Sequence, residues 1–204
     1  YRLMKSIFTV LLLCLSLNAH AVTLASLQQR FSEQPVLRAE FEQQRSISGM
    51  NKPLKSSGNL LISRDKGLWW SQQQPFVLTL LLDDKRMVQT MAGQPAQVIT
   101  ADSNPQMFQF NHLLTALFHA DTSILEQNFT LAFTDSGQDR WVLVLTPKTT
   151  PLDKLFKSIT LHGQYFLETI DIEDMQGDGT HIRFFNQLTE PKILSHAEQQ
   201  LFAH

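Results

Sequence analysis

Cysteine is all but missing from this chain. Of 204 residues only Cys14 carries a thiol, and it lies inside an apolar run near the N-terminus. Beyond that run neither a disulfide nor a thiolate metal site can form, so the folded part depends on its core. An excess of positive charge is missing too: 17 Lys and Arg stand against 19 Asp and Glu. No stretch mixes basic with aromatic residues, which argues against nucleic acid as a partner. Tyrosine is scarce, 2 residues beside 14 phenylalanines, so the aromatic content favours apolar packing over polar recognition. There is no G-x-S-x-G elbow, no H-E-x-x-H helix and no glycine-rich phosphate loop after a strand. We therefore expect no catalytic residue, no metal site and no cofactor.

One long apolar run is present. Residues 4–21, MKSIFTVLLLCLSLNAHA, combine the basic Lys5, an apolar stretch from Ile7 to Leu17 and an A-x-A site at Ala19–Ala21. These are the three parts of a secretory signal peptide, and the stretch is short for a membrane span of about 20 residues. Cleavage there makes Val22 the first mature residue. Taking 21 residues from 204 leaves 183, with 15 basic and 19 acidic side chains, a net charge of −4 and no cysteine. A chain of that length buries about 70% of its unfolded surface around one core, so 22–204 is read as a single domain.

Within it, Leu24, Leu27 and Phe31 share a helical face behind Thr23 as N-cap, and Pro35 ends the segment. The period then falls to two. Strands are predicted through Ala39–Arg45 and at 58–63, 68–72, 76–82, 86–91 and 96–100. Asn104 and Pro105 open a helix whose apolar stripe is Phe110, Leu113, Leu114, Leu117 and Phe118, with a shorter helix at 122–127. A meander follows at 129–133, 141–146, 159–162, 166–172 and 180–185, its turns at DSGQDR, HGQ and QGDG. Ser195 caps a final helical turn or two. About ten to eleven short strands interrupted by helices predict an α+β domain in which one antiparallel sheet curls round its helices. Trp69 and Trp70 must leave opposite faces of that sheet, and consecutive apolar positions such as 78–82 and 142–145 put grease on both sides.

His112 and His119, seven apart on one helix face, read as edge positions of an amphipathic helix, since no carboxylate pattern accompanies them. The acids Asp171, Glu173, Asp174 and Asp178 lack the alternating oxygen spacing of a calcium loop and read as a solvated hairpin end.

The stretch GNLLISRDKGLWWSQQQP resembles the periplasmic outer-membrane lipoprotein carrier family, LolA. AEFEQQ, LTLLLDDKRMV, HLLTALF, VLVLTPK and TIDIEDMQGDGTHIRFFN extend the resemblance over most of the chain in the family's order. It implies an unclosed half-barrel of strands with helices lidding its concave face, and an apolar cavity for acyl chains. It further implies that Arg64 hydrogen-bonds lid-helix carbonyls in the closed state, that Leu68 stands where the family often has phenylalanine, and that Trp70 is the inward tryptophan. Alternation supplies the rest of a candidate lining: Leu60 and Ile62, then Leu78, Leu80, Leu82 and Met87 from the sheet. Leu27, Phe31, Leu114 and Phe118 face them from the helices.

On this reading the protein is a monomeric periplasmic carrier. It takes acylated lipoprotein or lipid cargo from an inner-membrane transporter or exporter to an outer-membrane acceptor. A lipid-sensing regulatory protein, or a carrier of a glycolipid or polyene-type lipid for a dedicated exporter, are the alternatives. The family usually finishes in an aromatic-bearing strand, whereas LTEPKILSHAEQQLFAH ends in a helical pattern.

Overall fold

The computed structural model describes residues 21–203, apart from the side chains of Gln106, Met107, Gln109, Phe110 and Asn111. The predicted signal peptide thus lies outside the described residues save for Ala21, and so does the Phe110 side chain. The first half runs α1 (Leu24–Ser32), β1 (Val36–Ser46), β2 (Leu54–Ser63), β3 (Gly67–Gln74), β4 (Leu78–Leu82), β5 (Arg86–Met91) and β6 (Gln97–Thr100). Then come α2 (Pro105–His119) and α3 (Thr122–Asn128). The second half is β7 (Phe129–Gly137), β8 (Arg140–Pro147), α4 (Leu152–Leu155), β9 (Phe156–Gly163), β10 (Leu167–Asp174), β11 (Gly179–Leu188) and α5 (His196–Leu201). Among the described residues no helix is long and apolar enough to cross a membrane.

All eleven strands form one unclosed antiparallel sheet, ordered β6-β5-β4-β3-β2-β1-β11-β10-β9-β8-β7. Two meanders meet where β1 pairs with β11, and each leaves one edge strand, β6 and β7. That order fixes the place of the middle helices. The chain leaves the sheet at one edge and re-enters at the other, so α2 and α3 must cross a face of the sheet, and an amphipathic helix crosses the face that buries its stripe. Leu113, Ala116, Leu117 and Phe118 are accordingly buried.

Local signals explain the first helix. Thr23 Oγ1 accepts from the Ser26 N–H at 3.1 Å and Ser26 Oγ accepts from the Thr23 N–H at 2.9 Å, a reciprocal capping box. Two bonds then tie this segment to the second half of the sheet, and a third ties it to α3. The Val22 N–H donates to Asp135 Oδ2 at 3.1 Å, Arg30 Nη1 donates to the Gln164 carbonyl at 3.0 Å, and the Thr122 hydroxyl donates to Gln28 Oε1 at 2.9 Å. The Trp141 indole N–H shares the Gln164 carbonyl at 2.9 Å, and its ring covers Gly163, the residue registered opposite it. A Cβ at Gly163 would come within 2.4 Å of that ring.

Strand parity sorts the side chains cleanly. Leu60, Trp70, Leu80 and Gln89 form one cross-strand row on the concave face, and Ile62, Leu68, Leu82 and Met87 form the next. Leu61, Trp69, Leu81 and Val88 make the matching row on the convex face. The Trp69–Trp70 doublet therefore serves two layers, because the tail beyond β11 folds back over the convex face beside Trp69. Asp178 departs from the solvated reading of its turn: it is buried and accepts from the Ser48 N–H at 2.8 Å. Asp174 accepts from the N–H groups of Gln176 and Asp178, each at 2.9 Å, so these acids build the turn. Among the described residues no group of three potential ligands could hold a metal ion.

Candidate functional site

Helix α2 does not fill the concave face it crosses. Between helix and sheet lies a hollow of about 190 Å³. Leu68, Trp70 and Leu80 line it from β3 and β4, Ile170, Ile182 and Phe184 from β10 and β11, and Leu114 and Phe118 from the helix. Among the described residues Gln43 is the only polar side chain in that lining. A second, smaller hollow of about 40 Å³ lies toward the end of the sheet where α1 meets β1. Phe31, Leu37, Leu60 and Ile62 wall it, with Gln34, His119 and Gln187 among its polar contacts. Phe118 and Phe184 border both hollows, and their rings meet edge to face with centroids 5.4 Å apart at 71°. One aromatic pair thus divides a single apolar tract in two.

Among the described residues every buried side-chain nitrogen or oxygen has a hydrogen-bond partner. No polar group inside asks for a polar ligand, so what the tract can accept is apolar. Of the predicted lining, Leu60, Ile62, Leu68, Trp70, Leu80, Phe31, Leu114 and Phe118 do border the two hollows. Leu27, Leu82 and Met87 are buried in the core cluster, and Leu78 is half-buried toward the open end of the sheet. The structure adds residues that sequence reasoning omitted: Ile170, Ile182 and Phe184 from the second meander. Their period-two spacing in TIDIED and HIRFF was the available signal.

Trp70 is inward, but it is not free. Phe41 is registered opposite Gly58, whose missing side chain leaves the path from β1 toward β3 open. The Phe41 ring accordingly stacks on the indole at 3.9 Å and 27°. Phe184 approaches from another side, 6.2 Å away at 86°. One face of Trp70 is thus held by the protein, and the rest of it borders the hollow.

Arg64 is not where the resemblance implies. Strand β2 ends at Ser63 and β3 restarts at Gly67, with φ of +122° there, so a turn interrupts the parity that would link positions 64 and 68. Arg64 is exposed in that turn; its N–H donates to the Pro35 carbonyl at 3.0 Å, and among the described residues its guanidinium makes no hydrogen bond to a helix carbonyl. It nevertheless acts on the lid. Burial pushes the His119 imidazole down from its ordinary value, and the positive charge of Arg64 pushes it further the same way, with Asp121 opposing. His119 therefore takes up a proton less readily than an ordinary imidazole, at the C-terminal end of α2 beside the smaller hollow.

On the convex face Trp69 borders a groove with Leu61, Leu188 and Leu201, beneath the C-terminal tail. Arg38 fastens that tail: Nε and Nη2 donate to the Glu198 carboxylate at 2.6 and 2.8 Å, and Nη1 donates to the Pro191 carbonyl at 2.8 Å. The guanidinium holds the Glu198 carboxyl down at about 2. Ser195 caps α5 as predicted, its Oγ accepting from the Glu198 N–H at 3.1 Å.

An unclosed half-barrel, a helix lidding its concave face and an apolar tract between them define a class of small binding protein for apolar ligands. The family model for the outer membrane lipoprotein carrier protein LolA matches residues 21–197. The chain belongs to that family, whose members have a carrier-like, lipoprotein-binding role. No curated protein matches the chain. Solved structures similar to it include a LolA superfamily protein from Nitrosomonas europaea, 11% identical with a TM-score of 0.47, covering 90% of this chain and 99% of that one. A DUF1329 family protein from Desulfovibrio piger is 13% identical with a TM-score of 0.48, covering 85% and 95%. A chain of the Pseudomonas aeruginosa MucA/MucB complex is 18% identical with a TM-score of 0.41, covering 87% of this chain and 60% of that one.

Proposed function

We propose that residues 22–204 act in the periplasm as a monomeric carrier that takes up acyl chains of lipoproteins, or of related lipids, beneath α2. The cargo comes from an inner-membrane transporter or exporter and goes to an outer-membrane acceptor. The observation that carries this reading is the divided apolar tract, bordered by Trp70, Leu80 and Ile182 on one side and α2 on the other. Each methylene drawn out of water contributes about 0.8 kcal/mol. A chain longer than the larger hollow must displace Phe118 or lift α2, exposing Leu113, Ala116 and Leu117, all buried in the empty form. Uptake therefore works against closure, and closure helps expel the cargo, so binding stays reversible. Among the predicted residues, Leu60, Ile62, Leu68, Trp70, Leu80, Phe31, Leu114 and Phe118 serve as lining, while Leu27, Leu82 and Met87 hold the walls.

The test is mass spectrometry of organic extracts from protein isolated under native conditions. The wild type is expected to yield acylated species, and Ile182→Glu, which puts a charge into the hollow, is expected to yield none. Protein that is always empty, before and after exposure to a membrane fraction bearing acylated proteins, would remove the carrier reading.

A further inference from the structure

One end of the half-barrel is unlike the other. The tips of β1–β2, β3–β4 and β10–β11 and the helix α4 converge there: the Ser48 N–H donates to Asp178 Oδ1 at 2.8 Å, the Met175 N–H donates to the Leu155 carbonyl at 3.0 Å, and Ser57 pairs with Gln74. On these tips Met50, Leu54, Phe76, Val77, Leu155 and Met175 are each at least 50% exposed. Scattered apolar residues on a surface need no explanation, but six on adjoining loop tips at a single end do.

The charges there are also uneven. Lys52, Lys55 and Lys154 are exposed among these tips, and among the described residues no carboxylate lies within ion-pair distance of them. The acids of the same end are engaged: Asp174 and Asp178 accept backbone N–H groups and face Arg45 at 4.0 and 3.9 Å, and Glu173 faces Lys157 at 3.4 Å. Asp153 is the exception. Lys52, Lys55, Lys154, Lys157 and Arg45 against Asp153, Glu173, Asp174 and Asp178 leave this greasy rim with one net positive charge, in a chain that is otherwise net negative.

We propose that this rim docks on an anionic phospholipid bilayer, the loop tips entering the headgroup region and the three lysines lying over lipid charge. Apolar insertion or a few lysines alone give marginal, reversible attachment, and the two together give useful affinity without a permanent anchor. The rim also adjoins the ligand tract. Gln43, which lines the larger hollow, also borders a groove with Lys55, Gln74 and Glu42, the last paired with Arg183, at this same end. Docking would therefore turn the nearer end of the hollow toward the bilayer. The proposal extends the carrier reading and can fail separately from it.

Flotation of residues 22–204 with vesicles of phosphatidylcholine alone, and of phosphatidylcholine with one quarter phosphatidylglycerol, tests it at low and at 0.5 M salt. Expected are binding to the anionic vesicles, salt-sensitive and about fivefold weaker for each of Lys52→Ala and Lys55→Ala, and at least tenfold weaker for Phe76→Ser/Val77→Ser. Ile193→Ser, an exposed apolar residue on the tail, is expected to leave binding unchanged. No flotation, equal flotation with neutral vesicles, or rim variants that float like wild type would overturn the proposal; the first would point to a protein partner at the rim. Uptake of a fluorescent acyl probe, measured on the same variants, reads the hollow: unchanged uptake beside lost flotation separates rim from cargo site.

Discussion

Phe118→Ala is the substitution with the most to say about the ligand tract. The ring is 8% exposed and meets Phe184 at 5.4 Å, so its loss removes half of the wall between the hollows of about 190 and 40 Å³. Truncating a buried phenylalanine costs about 3–5 kcal/mol, and we expect the lower end, because a ring with open space on two sides forfeits fewer contacts than an enclosed one. Binding should respond differently. For straight-chain acyl probes, affinity is expected to climb about fourfold per methylene, the equivalent of about 0.8 kcal/mol, until the larger hollow is full, and then to level off. In Phe118→Ala the chain can continue into the smaller hollow without lifting α2, so levelling should come several methylenes later. Calorimetric titration with probes of 8 to 18 carbons, beside urea unfolding of the same samples, supplies both numbers. A variant destabilised as expected whose affinity levels off at the wild-type chain length would show that the aromatic pair is not the wall.

Three further outcomes follow from the geometry. Glu198→Gln is expected to loosen the tail by about 2 kcal/mol at pH 7, the fall of the carboxyl to about 2 being discounted for partial exposure. Because the folded carboxyl lies near 2 and the unfolded one near 4.5, the advantage is complete above about pH 4.5 and fades as pH falls toward 2; hydrogen exchange of residues 196–202 reads it, and equal protection in both proteins would refute it. Arg64→Ala is expected to change global stability by less than about 0.5 kcal/mol while the His119 titration moves up, since one of the two causes depressing it is gone; an unmoved imidazole in NMR titration would sever that link. Gly163→Ala is expected to cost about 2–3 kcal/mol in urea unfolding, because a methyl there meets the Phe166 carbonyl oxygen at 2.3 Å and the Trp141 ring at 2.4 Å, and a neutral result would mean that both the β9–β10 turn and the indole give way.

What could be read from the sequence, and what could not, divides along the range of the interactions. Thr23 and Ser195 were legible as caps because a capping box is closed within four residues. Trp69 and Trp70 were assignable to opposite faces because parity is a property of one strand. Arg64 shows the limit of the same rule: counting by twos from 64 to 68 holds only if the strand is continuous, and the turn at 64–66 interrupts it. Helix α4, four residues behind Pro151 with no side-chain cap, is too short to show any period. The widest gap was in the lining itself. A sequence presents β3 and β11 more than a hundred residues apart, and the doublet Phe184–Phe185 does not say which ring faces in; pairing through β1 and β2 settles that Phe184 does, and sets it beside Trp70 and Phe118. The stacking of Phe41 on Trp70 is longer-range again, since it depends on Gly58 in the strand between them. The fold could therefore be inferred from local period and strand count, whereas the size of the hollow rests on which few aromatic rings happen to touch. It follows that substitutions at Phe118 and Phe184, which border both hollows, should retune cargo length as well as cost stability, whereas substitutions at core positions that border neither, such as Leu143 and Leu145, should cost stability alone.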